Sequence, residues 1–179
     1  MHRVKGTHHV TISVSDLPRS LRFYCDVLGM RHRETQAVTE HAMFRFLGLV
    51  GVTAQCAYLR SAWNDQIYLY CLDPVPRKHD VDNVQHLGLH HIALHVEDVE
   101  EALSALKEEG IQPVNAPEFV STGRRAVFVR DPDGTLIELI DPNHPLERLF
   151  IRVRRGLRRA LFGTDPAFVG TAHTKSGSK

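Results

Sequence analysis

HHVTISVSDLPRSLRFYCDVLGM, residues 8–30, returns in altered form as HHIALHVEDVEEALSALKEEGI, residues 90–111. Both stretches read His-His, a short alternating apolar run, an acidic cap, an amphipathic helix and then glycine. His9 matches His91, Val14 matches Val96, Asp16 matches Asp98 and Leu21 matches Leu103, all at an offset of 82. A repeat on this scale means two copies of one supersecondary unit, neither able to bury its apolar face alone.

Local signals inside each copy agree. Val10, Ile12 and Val14 alternate with His9, Thr11 and Ser13, the period of a half-buried strand. Ser15 or Asp16 can cap the helix that follows, and Pro18 is tolerated in its first turn. Leu17, Leu21, Tyr24 and Leu28 share a helical face that Gly29 ends. In the second copy Ile92, Leu94 and Val96 alternate with His91, Ala93 and His95. Asp98 caps, Val99, Ala102, Leu103 and Leu106 form the stripe, and Gly110 closes it. Further strands are predicted over 33–38, 56–60 and 67–72, then over 113–115, 125–130 and 136–140, with Asp131-Pro132-Asp133-Gly134 as a turn. The stretch 41–53 is an apolar insert without a clear period.

These elements predict an α+β fold of two βαβββ modules, about 5–73 and 86–142, joined by a polar, proline-bearing linker over 74–85. Together they make a paired domain over 1–145, with curved mixed sheets forming a metal-binding cup. The chain of 179 residues, 42% hydrophobic and 24% charged, suits one such domain. A formal net charge of +1 selects neither nucleic acid nor an acidic partner. No run approaches the roughly 20 apolar residues of a membrane span, and the N-terminus lacks a signal-peptide core, so the expected location is cytoplasmic. Cys25, Cys56 and Cys71 lack paired zinc spacing and are expected as free thiols. The 12 histidines are the unusual count and direct attention to metal ligands.

Strand alternation sets His9, Thr11 and Ser13 on the face away from the helix, and does the same for His91, Ala93 and His95 and for Leu136, Glu138 and Ile140. If the two sheets curl toward each other, His9, His91 and Glu138 form a two-histidine, one-carboxylate facial triad with open positions for substrate and oxygen. A single histidine is more often a hydrogen-bonded core or surface residue. Here two occupy the same place in two repeats, and Glu138 in the apolar run TLIELI needs a charge partner.

HHVTISVSDLPRSLRFYCDVLGM, with HHIALHV and RRAVFVRDPDGTLIELIDP, resembles the vicinal oxygen chelate superfamily over residues 4–142. That group holds glyoxalases, extradiol dioxygenases, fosfomycin-resistance transferases, methylmalonyl-CoA epimerases and bleomycin-binding proteins. The resemblance implies one divalent metal on His9, His91 and Glu138, chelating neighbouring oxygens of a small-molecule substrate as a Lewis acid. His8 and His90 would then point to the helix side or the rim. The position where glyoxalase-type and epimerase-type relatives place a fourth ligand is read as Tyr70, a phenol, which argues against a lactoylglutathione lyase.

A three-ligand site resembles the extradiol dioxygenases and fosfomycin transferases. The extradiol His and Tyr are absent, since Phe128 stands at the Tyr position, so His95 or Tyr70 is left to assist proton transfer. Thr11 resembles a fosfomycin-transferase residue, but Glu118 and Glu147 stand where anion-binding groups are needed. Arg125 is a candidate for holding a polar or anionic substrate. Tyr68, Tyr70 and Phe128 can form an aromatic wall. The leading expectation is a dioxygenase-type oxidoreductase using Fe(II) or Mn(II), with Zn, Ni or Co as other metals. The alternatives are a metal-dependent isomerase, lyase or glyoxalase-like enzyme, and a metal-free antibiotic-binding resistance protein.

After Pro145, LERLFIRVRRGLRRALFG carries apolar residues at helical spacing and six arginines, predicting a basic amphipathic helix over 146–162. Its stripe is expected to pack on its own domain or on a second subunit of a homodimer, with an anionic membrane surface as the sharper alternative. The final stretch, 163–179, is expected as a disordered tail.

Overall fold

The computed structural model describes residues 3–39, 47–48, 51–76, 87–120, 123–141 and 153. The chain divides into a unit spanning Met1–Pro142 and a unit spanning Asn143–Lys179. Of the second only Val153 is described, so the helix expected over 146–162 and the tail over 163–179 lie outside the described residues. Most of the linker and of the 41–53 insert lie outside them too. No helix among the described residues is long and apolar enough to cross a membrane.

The first unit holds the two predicted modules. Strand β1 (Val10–Val14) leads into helix α1 (Leu17–Leu21), then β2 (Arg31–Thr39), β3 (Thr53–Arg60) and β4 (Gln66–Asp73). The second module runs β5 (Ile92–His95), α2 (Val99–Glu108), β6 (Glu118–Phe119), β7 (Arg125–Arg130) and β8 (Leu136–Ile140). The sheets are ordered β1-β4-β3-β2 and β5-β8-β7-β6, the same order twice. In each, the first strand pairs parallel with the last while the other neighbours run antiparallel, so both sheets are mixed. Ile12, Val14, Tyr24, Leu69, Val99, Leu103, Val127 and Ile137 belong to a single apolar core drawn from both modules.

Asp16 and Asp98 cap the two helices as predicted: Asp16 accepts from Arg19 N at 2.9 Å, and Asp98 from Glu100 N and Glu101 N at 2.8 and 3.1 Å. The first helix departs from its predicted face. After Leu21 the chain widens into a π-helical segment, Arg22–Val27, and Leu28 N donates to Phe23 O at 3.0 Å. The buried face is therefore Leu17, Ser20, Phe23 and Tyr24, while Leu21 and Leu28 are only partly buried. The extra residue per turn carries Phe23 inward beside Tyr24.

One predicted strand moves. Residues 113–115 run beside β7 with Val114 N donating to Phe128 O at 2.7 Å, but Phe128 N is met by the Asn115 side chain at 2.9 Å. Pro113 has no N–H to extend a ladder, and the paired edge strand forms only at Glu118–Phe119.

Candidate functional site

Ile12 and Val14 enter the core, so His9, Thr11 and Ser13 face the other way, with Tyr68 and Tyr70 of β4 between core residues Ile67, Leu69 and Cys71. By the same alternation Glu138 lies between core residues Ile137 and Leu139, and Phe128 between Val127 and Val129. The registers Phe128↔Glu138 and Ala93↔Glu138 place the carboxylate on the central strand of this face.

In the second module His91 Nε2 stands 3.2 Å from Glu138 Oε2, with the side chains 31% and 14% exposed. The Phe128 ring meets the His91 ring edge-on, centroids 5.2 Å apart and planes at 89°. Two donors each about 2.1 Å from one metal and at right angles to each other lie about 3.0 Å apart. The pair therefore has the spacing and the mixed nitrogen–oxygen character that a borderline divalent cation accepts.

In the first module His9 lies flat on Tyr68, centroids 4.2 Å apart and planes at 14°. Tyr68 in turn meets Tyr58 edge-on at 4.7 Å. The Tyr68 hydroxyl donates to Gln66 Oε1 at 3.2 Å, and Gln66 Nε2 donates to the His8 carbonyl at 3.2 Å. Among the described residues no group of three histidine, cysteine, aspartate or glutamate side chains converges as a metal site. One chain thus presents a histidine–carboxylate pair in one module and a separate, tyrosine-stacked histidine in the other.

The register corrects the fourth position. Ala93, two residues after His91, pairs with Glu138; Thr11, two residues after His9, pairs with Tyr68. The counterpart of Glu138 is Tyr68, not Tyr70. Thr11, exposed on β1, sits next to it. Tyr70 packs with Val38, Val52 and Tyr58 against Ala54, Cys56 and Leu72. Burial, helped by Cys56, Tyr58 and Tyr68, pushes its phenol up to about 12, so it keeps its proton at neutral pH and does not act as a phenolate there.

Arg125 is not brought to this face. It follows the odd positions of β7 with Val127 and Val129, its guanidinium pairs with Glu100 of α2, and it lies 5.9 Å over the Phe119 ring. His95 is exposed, its ring tilted against Trp63 with centroids 4.9 Å apart. His8 and His90, expected to turn to the helix side or rim, are exposed and bring their Nδ1 atoms to 2.8 Å from Nδ1 of His9 and His91. Gln66 and Trp63 were not singled out from the sequence. A polar residue opening an otherwise apolar strand was the available sign for Gln66.

The Glyoxalase/Bleomycin resistance protein/Dioxygenase superfamily profile matches residues 6–139. Similar proteins include a probable lactoylglutathione lyase from Synechocystis sp., 34% identical over 134 residues, spanning 74% of this chain and 92% of that protein. A 2-epi-5-epi-valiolone epimerase from Actinomyces sp. is 28% identical over 144 residues, spanning 76% of this chain and 79% of that protein. A solved glyoxalase family protein from Bacillus cereus superposes with a TM-score of 0.70 at 22% identity, over 78% of this chain and 95% of that one, which speaks to the fold.

Proposed function

The chain belongs to the Glyoxalase/Bleomycin resistance protein/Dioxygenase superfamily, and from that premise we propose that it is a metal-dependent isomerase or lyase acting on a small oxygen-bearing substrate. The approach of His91 Nε2 to Glu138 Oε2 at 3.2 Å carries this reading. In it, His91 and Glu138 hold a divalent cation, and His9 from the other type of module completes the set. Because His9 stands apart from that pair within one chain, the third donor comes from a second copy, and the enzyme is a homodimer that exchanges modules.

A bound cation would supply Lewis-acid polarisation of a substrate carbonyl and its neighbouring oxygen. The chain's own groups do the rest. Glu138 is the carboxylate placed to take a proton from the carbon beside that carbonyl. Phe128 closes one side of the His91–Glu138 pair with an apolar ring and excludes water there. Tyr70, with its proton retained, is a hydrogen-bond donor for developing negative charge on that face, and cannot serve as a base at neutral pH.

The earlier expectation of dioxygenase-type oxidation gives way to this chemistry for two reasons. The similar proteins above are named as a lyase and an epimerase. Phe128 also stands against His91, where an extradiol enzyme needs an acid–base side chain. Protein purified without chelators should contain about one divalent cation per chain, lost in His9→Ala, His91→Ala and Glu138→Ala proteins. Stoichiometric metal retained in His91→Ala would remove the ligand assignment. Turnover of a 2-oxo or 2-hydroxy carbonyl compound should exchange a substrate proton with deuterated solvent and consume no oxygen. Oxygen uptake matching product formation would restore the dioxygenase reading.

A further inference from the structure

Val10 of β1 pairs with Ile67 of β4, which sets His9 level with Gln66, and Gln66 Nε2 reaches the His8 carbonyl at 3.2 Å. Gln66 pairs in turn with Arg60 of β3, and Arg60 with Arg31 of β2. Leu59 and Ile67 enter the core, so Arg60 and Gln66 turn to the face that carries His9. Directly paired residues share a face, which adds Arg31. His9, Gln66, Arg60 and Arg31 therefore form one row across the open side of the first module. In the next row Tyr58 pairs with Tyr68, the residue stacked on His9.

Arg60 is exposed and held in place, its Nη1 donating to Asn64 Oδ1 at 3.0 Å. Ser61 fixes the hairpin behind it: its Oγ donates to Asp65 Oδ2 at 2.8 Å and accepts from Trp63 N and Asp65 N at 3.1 and 3.0 Å. The Asp65 carboxylate is thus engaged within its own turn. Arg130 occupies the equivalent place in the second module, pairing with Leu136 and donating to the Gly134 carbonyl at 3.0 Å. Clasping the hairpin is common to both modules; what the first module adds is Arg31. In the second, β6 pairs with β7 at Ala126 and Arg125, well short of Arg130.

Two guanidiniums set directly opposite each other repel. A bulge in β2 brings Glu34 opposite Tyr58 on the same face, so one carboxylate offsets part of that charge. The planar guanidinium fork matches a carboxylate or a phosphate bidentately, and a local excess of about one positive charge suits the monoanion. We propose that Arg60 and Arg31 form a carboxylate-binding subsite, and that the substrate is a carboxylic acid whose charged end lies two strand spacings, about 10 Å, from the strand of His9. Tyr58 and Tyr68 flank that path with their rings, which suits an aromatic or extended apolar body. This deepens the proposed function and rests on it for the role given to His9, but the subsite itself needs no cation.

The test uses the full chain stripped of metal, so that no cation can take the carboxylate. It is titrated with benzoate, benzamide and phenyl phosphate while proton–nitrogen spectra follow the backbone and the arginine Nε–H signals. Benzoate should bind saturably, with Kd on the order of 1 mM, and shift the Arg60 and Arg31 signals. Benzamide, the same shape without the charge, should bind about tenfold more weakly. Arg60→Gln and Arg31→Gln should each weaken benzoate about tenfold with the rest of the spectrum unchanged. Glu34→Gln, which removes the competing carboxylate, should tighten it about threefold, a gain that a purely structural role for the arginines does not produce. Equal affinity for benzoate and benzamide, or benzoate binding unchanged in Arg31→Gln, would overturn the proposal. Phenyl phosphate binding more tightly than benzoate would overturn the assignment to a carboxylate. Failure of the metal reading looks different: His91→Ala would retain its cation while benzoate binding by the metal-free chain stayed as described.

Discussion

Tyr24 of the first module donates its hydroxyl to Asp131 Oδ2 in the turn of the second module at 2.9 Å, with the tyrosine fully buried. Asp131 Oδ1 meanwhile accepts from Asp133 N and Thr135 N at 3.0 and 2.7 Å, so one carboxylate shapes its own turn and ties it to the other module. Next to it Asp133 receives Ser15 N at 2.9 Å and the Arg19 guanidinium at 2.9 Å. The repeat is thus locked by polar contacts from the start of helix α1 to the second-module turn, beside the shared apolar core.

Tyr24→Phe removes one of the bonds that hold Asp131 ionised and should cost about 2 kcal/mol at neutral pH, the range for a hydrogen bond to a buried charge. Burial raises the Asp131 carboxyl above its ordinary 3.8, and the Tyr24 hydroxyl opposes that rise. Without it the carboxyl is raised further, so the variant favours the protonated form. The stability deficit should accordingly be largest above the Asp131 titration and shrink as pH falls through it. Urea unfolding of both proteins from about pH 7 to about pH 3.5 tests this. A deficit that is constant or grows on acidification would contradict the pairing.

Burial pushes the Cys25 thiol up to about 11, with Asp26 adding to the rise and a backbone hydrogen bond opposing it; burial alone brings Cys56 to about 11. At pH 8 the thiolate fraction of either is on the order of 0.1%. Both should resist iodoacetamide in the folded protein and react promptly in denaturant. Mass mapping after a timed pulse reads this directly, and rapid native labelling of Cys56 would show that its face is open.

The modules themselves were legible because alternation and helical period are local properties of the chain. Strand order was not, since β1 meets β4 across more than fifty residues of intervening chain. The π-helical segment carries Tyr24, whose hydroxyl bonds a partner 107 residues away, and no local pattern encodes that contact. Tyr70 and Glu138 each lie three residues before an Asp-Pro, yet the strand register makes Tyr68 the counterpart of Glu138. Pairing with the first strand starts at Ile67 in one module and Ile137 in the other, leaving β4 two residues longer before its Asp-Pro. A slip of two keeps the face, so alternation could not reveal it. Arg125, expected to hold substrate, differs in another way. It lies three residues from Phe128 on one strand, and that odd spacing already put the two on opposite faces.

Arg125→Ala should therefore leave substrate KM and metal content unchanged. Its ion pair is with Glu100, whose side chain is 59% exposed, and exposed pairs contribute about 1 kcal/mol or less. Thermal unfolding should show a small loss at most. A KM raised tenfold with stability intact would return Arg125 to the substrate.

Tyr68→Glu tests the register and the ligand reading together. The substitution sets a second carboxylate where the β1–β4 pairing matches Glu138, beside His9 and at the cost of the Tyr68–His9 stack. If His9 is a ligand, the new oxygen joins the same cation, and Co(II) or Zn(II) affinity should rise about tenfold, since added anionic oxygen favours a divalent ion. Tyr70→Glu, on the same face but two residues further along, should not tighten binding and should destabilise the fold, because it puts a charge against Ala54, Cys56 and Leu72. Equal metal affinity in Tyr68→Glu and the parent protein would place the cation away from His9. Tighter binding in Tyr70→Glu instead would mean that the two-residue offset read from the strand pairing is wrong.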